Sequence, residues 1–527
     1  MLSPIDSIPK KLVYLIFLLF ILLPSQTLML NEKLYPSHDG LFHIRRIEQF
    51  HQALLEGQVP PRLAPSLVGG AGYPLFIVNY QTPYYLSAIF MQSDGNPVKS
   101  FKFVMSATYI LSAVWTFLLF KKFASNIASL TGAVVFSYLP YRFANLYQRG
   151  SLGESVALMF VPLIFLSMHK ITDKSKFGPL LLALSIFGLI TSHTIIFLIF
   201  LPMIISYLFF MLRVNKIIIK KVTIATMIGI LLSSFQLLPS IFEKKYMIFD
   251  MSLSELFYGH FINIFQLLRI PNSGVNIGTP IQVGLVSSLI LLLSLIYFFT
   301  NKDKKVLFFL IFSATSFFLV TKSSLFFWQH TPLLSYALYP WRFLSLLVLS
   351  TAFLAVYLIE RTKFKIIFSI LLIFAVIYTS RHYFLKPAQF EHNLPTNTLA
   401  TQNEFNTIWS SEETFKDRPL IGSSQKISVS NLSKSTYSVL FGAETSQLTK
   451  ITIRKMYFPG WQVKVNGQNH SIEIKDGLIS FDLPSGSWQI EVKFSESPLR
   501  KTANLITVLS FAVLILLFVK KPKFLQS

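Results

Sequence analysis

No cysteine occurs anywhere in the 527 residues. That excludes disulfides, thiolate nucleophiles and cysteine-ligated metals, so any part lying on an oxidising side of a membrane holds together by packing alone. Charge is scarce as well. Asp, Glu, Lys and Arg make up 13% of the chain, against about 25% in soluble domains. Acidic residues are the rarer half, 24 against 47 Lys and Arg. An ordinary soluble domain is excluded, and each carboxylate in an apolar setting becomes informative. No internal repeat is visible.

What fills the chain instead is hydrocarbon, 52% of the residues. Apolar runs long enough to cross ~30 Å of lipid recur along it. They fall at about 12–30, 98–120, 124–141, 152–169, 177–190, 193–212, 219–239, 280–300, 305–321, 341–359, 364–380 and 502–519. This predicts a polytopic α-helical membrane protein of about twelve spans, the first an uncleaved one. The net charge of +23 does not point to nucleic acid. The cations sit in short clusters at alternate connections: Lys10/Lys11, Lys121/Lys122, Lys170/Lys174/Lys176, Arg213/Lys216/Lys220/Lys221, Lys302/Lys304/Lys305, Arg361/Lys363/Lys365 and Lys520/Lys521/Lys523. The positive-inside bias then puts both termini in the cytoplasm and the remaining connections outside the cell membrane.

The outer connections hold the polar chemistry. Residues 39–56 read as an amphipathic helix, with Leu41, Ile44, Ile47, Leu54 and Leu55 on one face and Asp39, His43 and Arg46 on another. Gly57 and Pro60-Pro61 end it. The stretch 69–91, aromatic and broken by prolines, reads as interfacial or re-entrant within the first outer loop, 31–97. Arg149 and Glu154 flank the start of a span, where a carboxylate suits a helix N-terminus. His193, Arg269 and Arg342 lie in three further outer connections. Residues 1–380 thus form the membrane domain and 381–429 a loop-rich linker. Alternating runs punctuated by Pro459-Gly460, Asn466-Gly467, Asp476-Gly477 and Ser485-Gly486 predict a β-sandwich at 430–496, before the last span. Trp461 and Trp488 there are either stacking platforms for glycan or core residues.

The string His38-Asp39-Gly40-Leu41-Phe42-His43-Ile44 resembles the first-loop motif of bacterial GT-C membrane glycosyltransferases. Gly72-Tyr73-Pro74-Leu75-Phe76, Arg149-Gly150-Ser151-Leu152-Gly153-Glu154, Ser192-His193-Thr194 and Tyr339-Pro340-Trp341-Arg342-Phe343-Leu344 follow in order. Together they resemble the multispan "6-pyruvoyl-tetrahydropterin synthase-related" proteins. Tyr457-Phe458-Pro459-Gly460-Trp461 is similar to the C-terminal region of YfhO-type proteins. The resemblance implies a GT-C-like fold and transfer of a sugar from a polyprenyl-phosphate donor to a glycan, lipid or protein acceptor, with Asp39 as general base. The paired acidic motif of some GT-C enzymes is absent, because His38 precedes Asp39. No cofactor is expected, and a divalent metal on His38, Asp39 and His43 is the lesser reading.

The same residues meet the chemical need on their own terms. Glycosyl transfer requires a carboxylate to take the acceptor's proton and cations to hold the phosphate that leaves. Asp39 is the candidate base, with His43 and Glu154 beside it in the catalytic set. His38, Arg46, Arg149, His193, Arg269 and Arg342 are candidates for substrate. Each has a plainer reading: Asp39 as a helix cap, Arg149–Glu154 as a structural ion pair, Arg342 as an interfacial anchor, His193 as a packing residue. Two other functions compete, a transporter or flippase of lipid-linked glycans and a non-catalytic envelope-assembly protein.

Overall fold

A computed structural model describes residues 9–31, 33–248, 256–265, 281–384 and 405–520. A helix or helix pair stands at each of the twelve predicted positions among them. Seven are long and apolar enough to span a membrane, and two bent pairs bring this to nine at most. Asn126–Tyr138, Gly178–Ser192 and Leu285–Asn301 are shorter, so a count of twelve complete spans is not established. The shortening has local causes. Leu139 is extended before Pro140 and stops the third helix. The helix Lys216–Leu232 breaks by 66° before Ser234–Phe242, where the Ser233 hydroxyl bonds back to the Gly229 carbonyl.

The connections segregate into two groups, as the lysine pattern requires. At one end Lys122 pairs with Asp173 and Arg361 with Asp303. There Ser125 also donates to Glu360, 2.7 Å from its hydroxyl. At the other end the motif strand meets the third connection, with the Asp39 N–H donating to the Arg149 carbonyl at 2.7 Å. The Gln81 N–H there donates to Thr191 and to Gln236 Oε1.

The first loop folds against the rest of the protein. Its helix, Gly40–Leu55, buries Ile44, Ile47 and Phe50 completely, but the polar-face residues His43, Arg46 and Gln49 are buried too, while Leu55 is 67% exposed. Short helices Leu75–Val78 and Thr82–Asp94 supply the aromatic wall against it. Phe76, Tyr84 and Tyr85 all ring-stack or edge-pack on Phe50.

The β-module holds nine strands: β1 (Ile421–Ser423), β2 (Ser428–Lys434), β3 (Ser438–Thr445), β4 (Thr449–Met456), β5 (Trp461–Val465), β6 (Gln468–His470), β7 (Glu473–Lys475), β8 (Leu478–Leu483) and β9 (Gly486–Phe494). They form two antiparallel sheets, β1-β4-β8-β7 and β2-β3-β9-β5-β6. Their alternate apolar residues, among them Ile451, Phe481, Phe441 and Val492, share one core. Strand pairing begins at Ile421, ahead of the sequence expectation, because three residues are too few to show an alternation. Trp461 belongs to the core, 5% exposed, its indole N–H on the Met456 carbonyl at 3.1 Å. Trp488 is likewise engaged, its N–H on Pro484. The module sits on the first loop: the Met456 N–H donates to Ala71 and the Thr436 N–H to Glu56. Gly72, at φ +74°, lets the chain pass the Thr436 carbonyl, which a Cβ would approach to 3.3 Å.

The native absence of cysteine makes sidedness directly measurable. Lys304→Cys and Gln468→Cys, both at exposed positions, are expected to label from opposite sides of the membrane. An impermeant maleimide on intact cells should modify one and require permeabilisation for the other.

Candidate active site

The motif strand is locked before any side chain acts. His38 and Asp39 both donate backbone N–H groups to the Gln148 and Arg149 carbonyls. Two glycines permit this approach. A Cβ on Gly150, which has φ +63°, would lie 2.7 Å from the Ser37 hydroxyl and 3.1 Å from the Gly40 nitrogen. Asp39 precedes the helix Gly40–Leu55 yet makes no side-chain cap bond. Its carboxylate stands 3.9 Å from Arg149 and is one-third exposed.

Behind it lies a fully buried carboxylate. Glu154 Oε1 accepts from Arg149 Nη1 at 2.7 Å and from Arg342 Nε at 2.9 Å. Its Oε2 accepts from the Tyr141 hydroxyl at 3.0 Å. Both oxygens are therefore committed. Arg149 also reaches Asn145, and Arg342 the Ala337 carbonyl, so each guanidinium has a fixed orientation. Burial opposes the charge on Arg149, but Glu154, Tyr141 and Asp39 together hold its pKa above the ordinary arginine value. In this geometry Glu154 positions two arginines and is not placed to exchange protons.

These groups border a cavity of about 530 Å³. Asp39, His43, Arg46, Arg149, His193 and Arg342 line it. Arg46 is buried, bonded to Tyr84 and 5.2 Å over the Phe405 ring. His43 Nδ1 meets the Tyr84 hydroxyl at 3.1 Å. Burial, then Arg46 and Arg149, hold the His43 pKa well below the usual imidazole range. His193 caps the helix Thr194–Met211 through Nδ1 and stacks on Tyr80 at 5.9 Å. Burial and Arg342, only partly offset by Glu154, lower its pKa to about 3. Both imidazoles are neutral at pH 7, and four cations, counting Lys244, face two carboxylates. Among the described residues the site therefore carries an excess of two positive charges, suited to a phosphate.

Two predicted site residues are not in this group. His38 is exposed and absent from the cavity lining, because its backbone bond to Gln148 leaves Asp39, not its neighbour, at the cavity. Arg269 lies outside the described residues. With His38 apart, the three-residue metal set does not converge, and no group of three His, Asp or Glu suited to an ion occurs among the described residues.

Residues absent from the sequence-derived site complete the cavity. Lys244 contributes its ammonium, bonded to the Tyr336 hydroxyl at 3.0 Å and lying over that ring. Gln236 and Ser240 come from the bent half of the seventh helical unit, and Asn79 and Tyr80 from the first loop. The only sequence signal for them was polarity at a span end.

Substituting Glu154→Gln leaves two buried guanidiniums without their shared anion. A loss of about 3–5 kcal/mol is expected, read as a lowered unfolding midpoint in detergent. The neutral imidazoles set a pH response. The unfolded chain protonates His43 and His193 near pH 6.5, above their folded values, so it binds more protons as pH falls. Stability is then complete above about 6.5 and lost on acidification. His193→Gln should flatten the fall in melting temperature between pH 7 and 5.

Comparison with known proteins agrees with a membrane assignment. The 6-pyruvoyl-tetrahydropterin synthase related domain, described as a membrane protein, matches residues 79–385. An uncharacterized protein of Lactococcus lactis subsp. cremoris is 27% identical over 254 residues, 46% of this chain and 41% of its own. Among solved structures, the apo oligosaccharyltransferase of Archaeoglobus fulgidus is similar over 72% of this chain and 57% of its own, at 12% identity and TM-score 0.45. A mycobacterial arabinofuranosyltransferase, AftD, is similar over 70% of this chain and 26% of its own, at 12% identity and TM-score 0.39. The chain thus spans under three-fifths of the length of each of these.

Proposed function

The chain belongs to the membrane-protein family of the 6-pyruvoyl-tetrahydropterin synthase related domain, and on that premise we propose that it is a membrane glycosyltransferase. It takes a sugar from a polyprenyl-phosphate donor and passes it to a glycan, lipid or protein acceptor on the extracytoplasmic face of the cell membrane. The observation that carries this reading is one accessible carboxylate, Asp39, held 3.9 Å from Arg149 in a cavity with Arg46, Arg342 and Lys244.

The step is a single displacement. The acceptor hydroxyl gives its proton to Asp39 as its oxygen bonds to the sugar's anomeric carbon. The bond from that carbon to the phosphate oxygen breaks, and the electron pair leaves with the phosphate. Arg149 and Arg342 offer the leaving group N–H donors whose direction Glu154 has already set, so little reorganisation is needed as charge develops. Neutral His43 and His193 add polarity without competing for the phosphate. The acidic partner of the arginines is buried and the base is exposed, which separates the two carboxylate roles by position.

A second reading, transport of a lipid-linked glycan, draws on the 66° break at Ser233, since interrupted helices lining a cavity are a transporter device. Transfer and transport part on one measurement. Membranes carrying the wild type should move radiolabelled sugar from a polyprenyl-phosphate donor into an endogenous acceptor. Asp39→Asn should lower that rate by 10²–10⁴-fold, the usual yield of a general base, with the melting temperature nearly unchanged. Undiminished transfer by the variant would sink the assignment of Asp39.

A further inference from the structure

Beside the cavity, two chain segments come together. The Ile248 N–H donates to the Asn406 carbonyl at 2.9 Å and the Ile408 N–H to the Tyr246 carbonyl at 3.1 Å. Lys244 and Phe405, both lining the cavity, lie two and four residues before Tyr246 and Trp409. Pairing these segments therefore places two aromatic rings next to the site. Tyr246 and Trp409 stack at 5.7 Å with 19° between their planes. Tyr457, at the end of β4, meets Trp409 edge-on at 4.9 Å. All three are half-buried, and the Lys245 ammonium lies over the Tyr246 ring, 5.1 Å from its centre.

The cluster is tied to the β-module. The Tyr457 N–H donates to the Gly477 carbonyl at 2.8 Å, and the segment 409–414 packs against the same turn. A Cβ on Gly477, which has φ +72°, would come within 3.1 Å of the Trp409 carbonyl. Yet the two phenol hydroxyls and the Trp409 indole N–H have no hydrogen-bond partner among the described residues. Tyrosine and tryptophan polar atoms usually find one when buried. Here a fixed apolar face is edged by polar atoms left for something else. Burial and the neighbouring Tyr246 phenol raise the Tyr457 pKa, so its hydroxyl stays a donor.

We propose that Tyr246, Trp409 and Tyr457 form a platform that binds a sugar chain alongside the cavity. A pyranose ring has the matching chemistry, an apolar C–H face with hydroxyls around its rim. The site goes beyond the transferase reading: binding requires no transfer, and only the inference that the bound chain is the acceptor rests on that reading. It also relocates the glycan contact from Trp461 and Trp488, whose indole N–H groups are already satisfied within the module.

The test uses the detergent-solubilised full chain on an array of purified bacterial surface polysaccharides. The wild type should be retained on at least one of them. Trp409→Ala should weaken that retention at least tenfold, Trp409→Phe should keep most of it, and Tyr457→Phe, which removes only a hydroxyl, should weaken it severalfold at unchanged melting temperature. Retention is read with no lipid-linked donor present, so loss of transfer and loss of binding are told apart. No retention of any polysaccharide by the wild type, or equal retention by Trp409→Ala, would overturn the proposal.

Discussion

One buried anion holds the site together. Glu154 is fully enclosed, and its two oxygens are taken by Arg149, Arg342 and Tyr141. Tyr141 and Arg149 come from one connection and Arg342 from the start of a distant span. An uncompensated charge at that depth would be costly, and two guanidiniums without it would be worse. The arginines in turn fix their surroundings: the Arg149 backbone receives Asp39, and Arg342 ties the Tyr339 turn to the same point. The polar constellation thus depends on one anion that two guanidiniums share.

This arrangement separates two demands that conflict at phosphate-handling sites. Cations must be strong enough to attract an anion yet remain aimed when it is gone. A surface lysine meets the first only. Arginines pinned by a carboxylate meet both, because the fork geometry fixes direction while spare N–H groups remain for the ligand. Lys244 meets the need differently, resting on the face of Tyr336.

Much of this was readable in the chain. Spacing alone put Asp39, His43 and Arg46 on one face, and all three line the cavity, whereas Arg45 pairs with Glu48. The lysine alternation brought Arg149, His193 and Arg342 to the end where Asp39 lies, because it reports on topology, which is a whole-chain property. Helix completeness was less legible: Ser233 and Pro140 shorten or bend segments whose hydropathy is continuous. The aromatic platform was not legible at all. Tyr246 lies far from Trp409 and Tyr457 in sequence, and only strand-like pairing of 246–248 with 406–408 assembles them. Helical periodicity separated the two faces of the first-loop helix, and Asp39, His43 and Arg46 of its polar face line the cavity.

The last helix gives the architecture an order in time. Arg62 of the first loop bonds Glu496, Asn504 and the Phe235 carbonyl. Thr507 receives the Phe235 N–H, and Arg500 sits between Glu243 and Glu496. The wall bearing Gln236 and Ser240 is thus braced by residues far downstream in the chain. The bent helix leaves the ribosome well before these braces exist, so this wall is completed only when the helix Pro498–Lys520 joins it. Synthesis itself becomes the checkpoint: a polypeptide released early carries the motif strand, the arginines and the buried glutamate, but no finished chamber for them to act in.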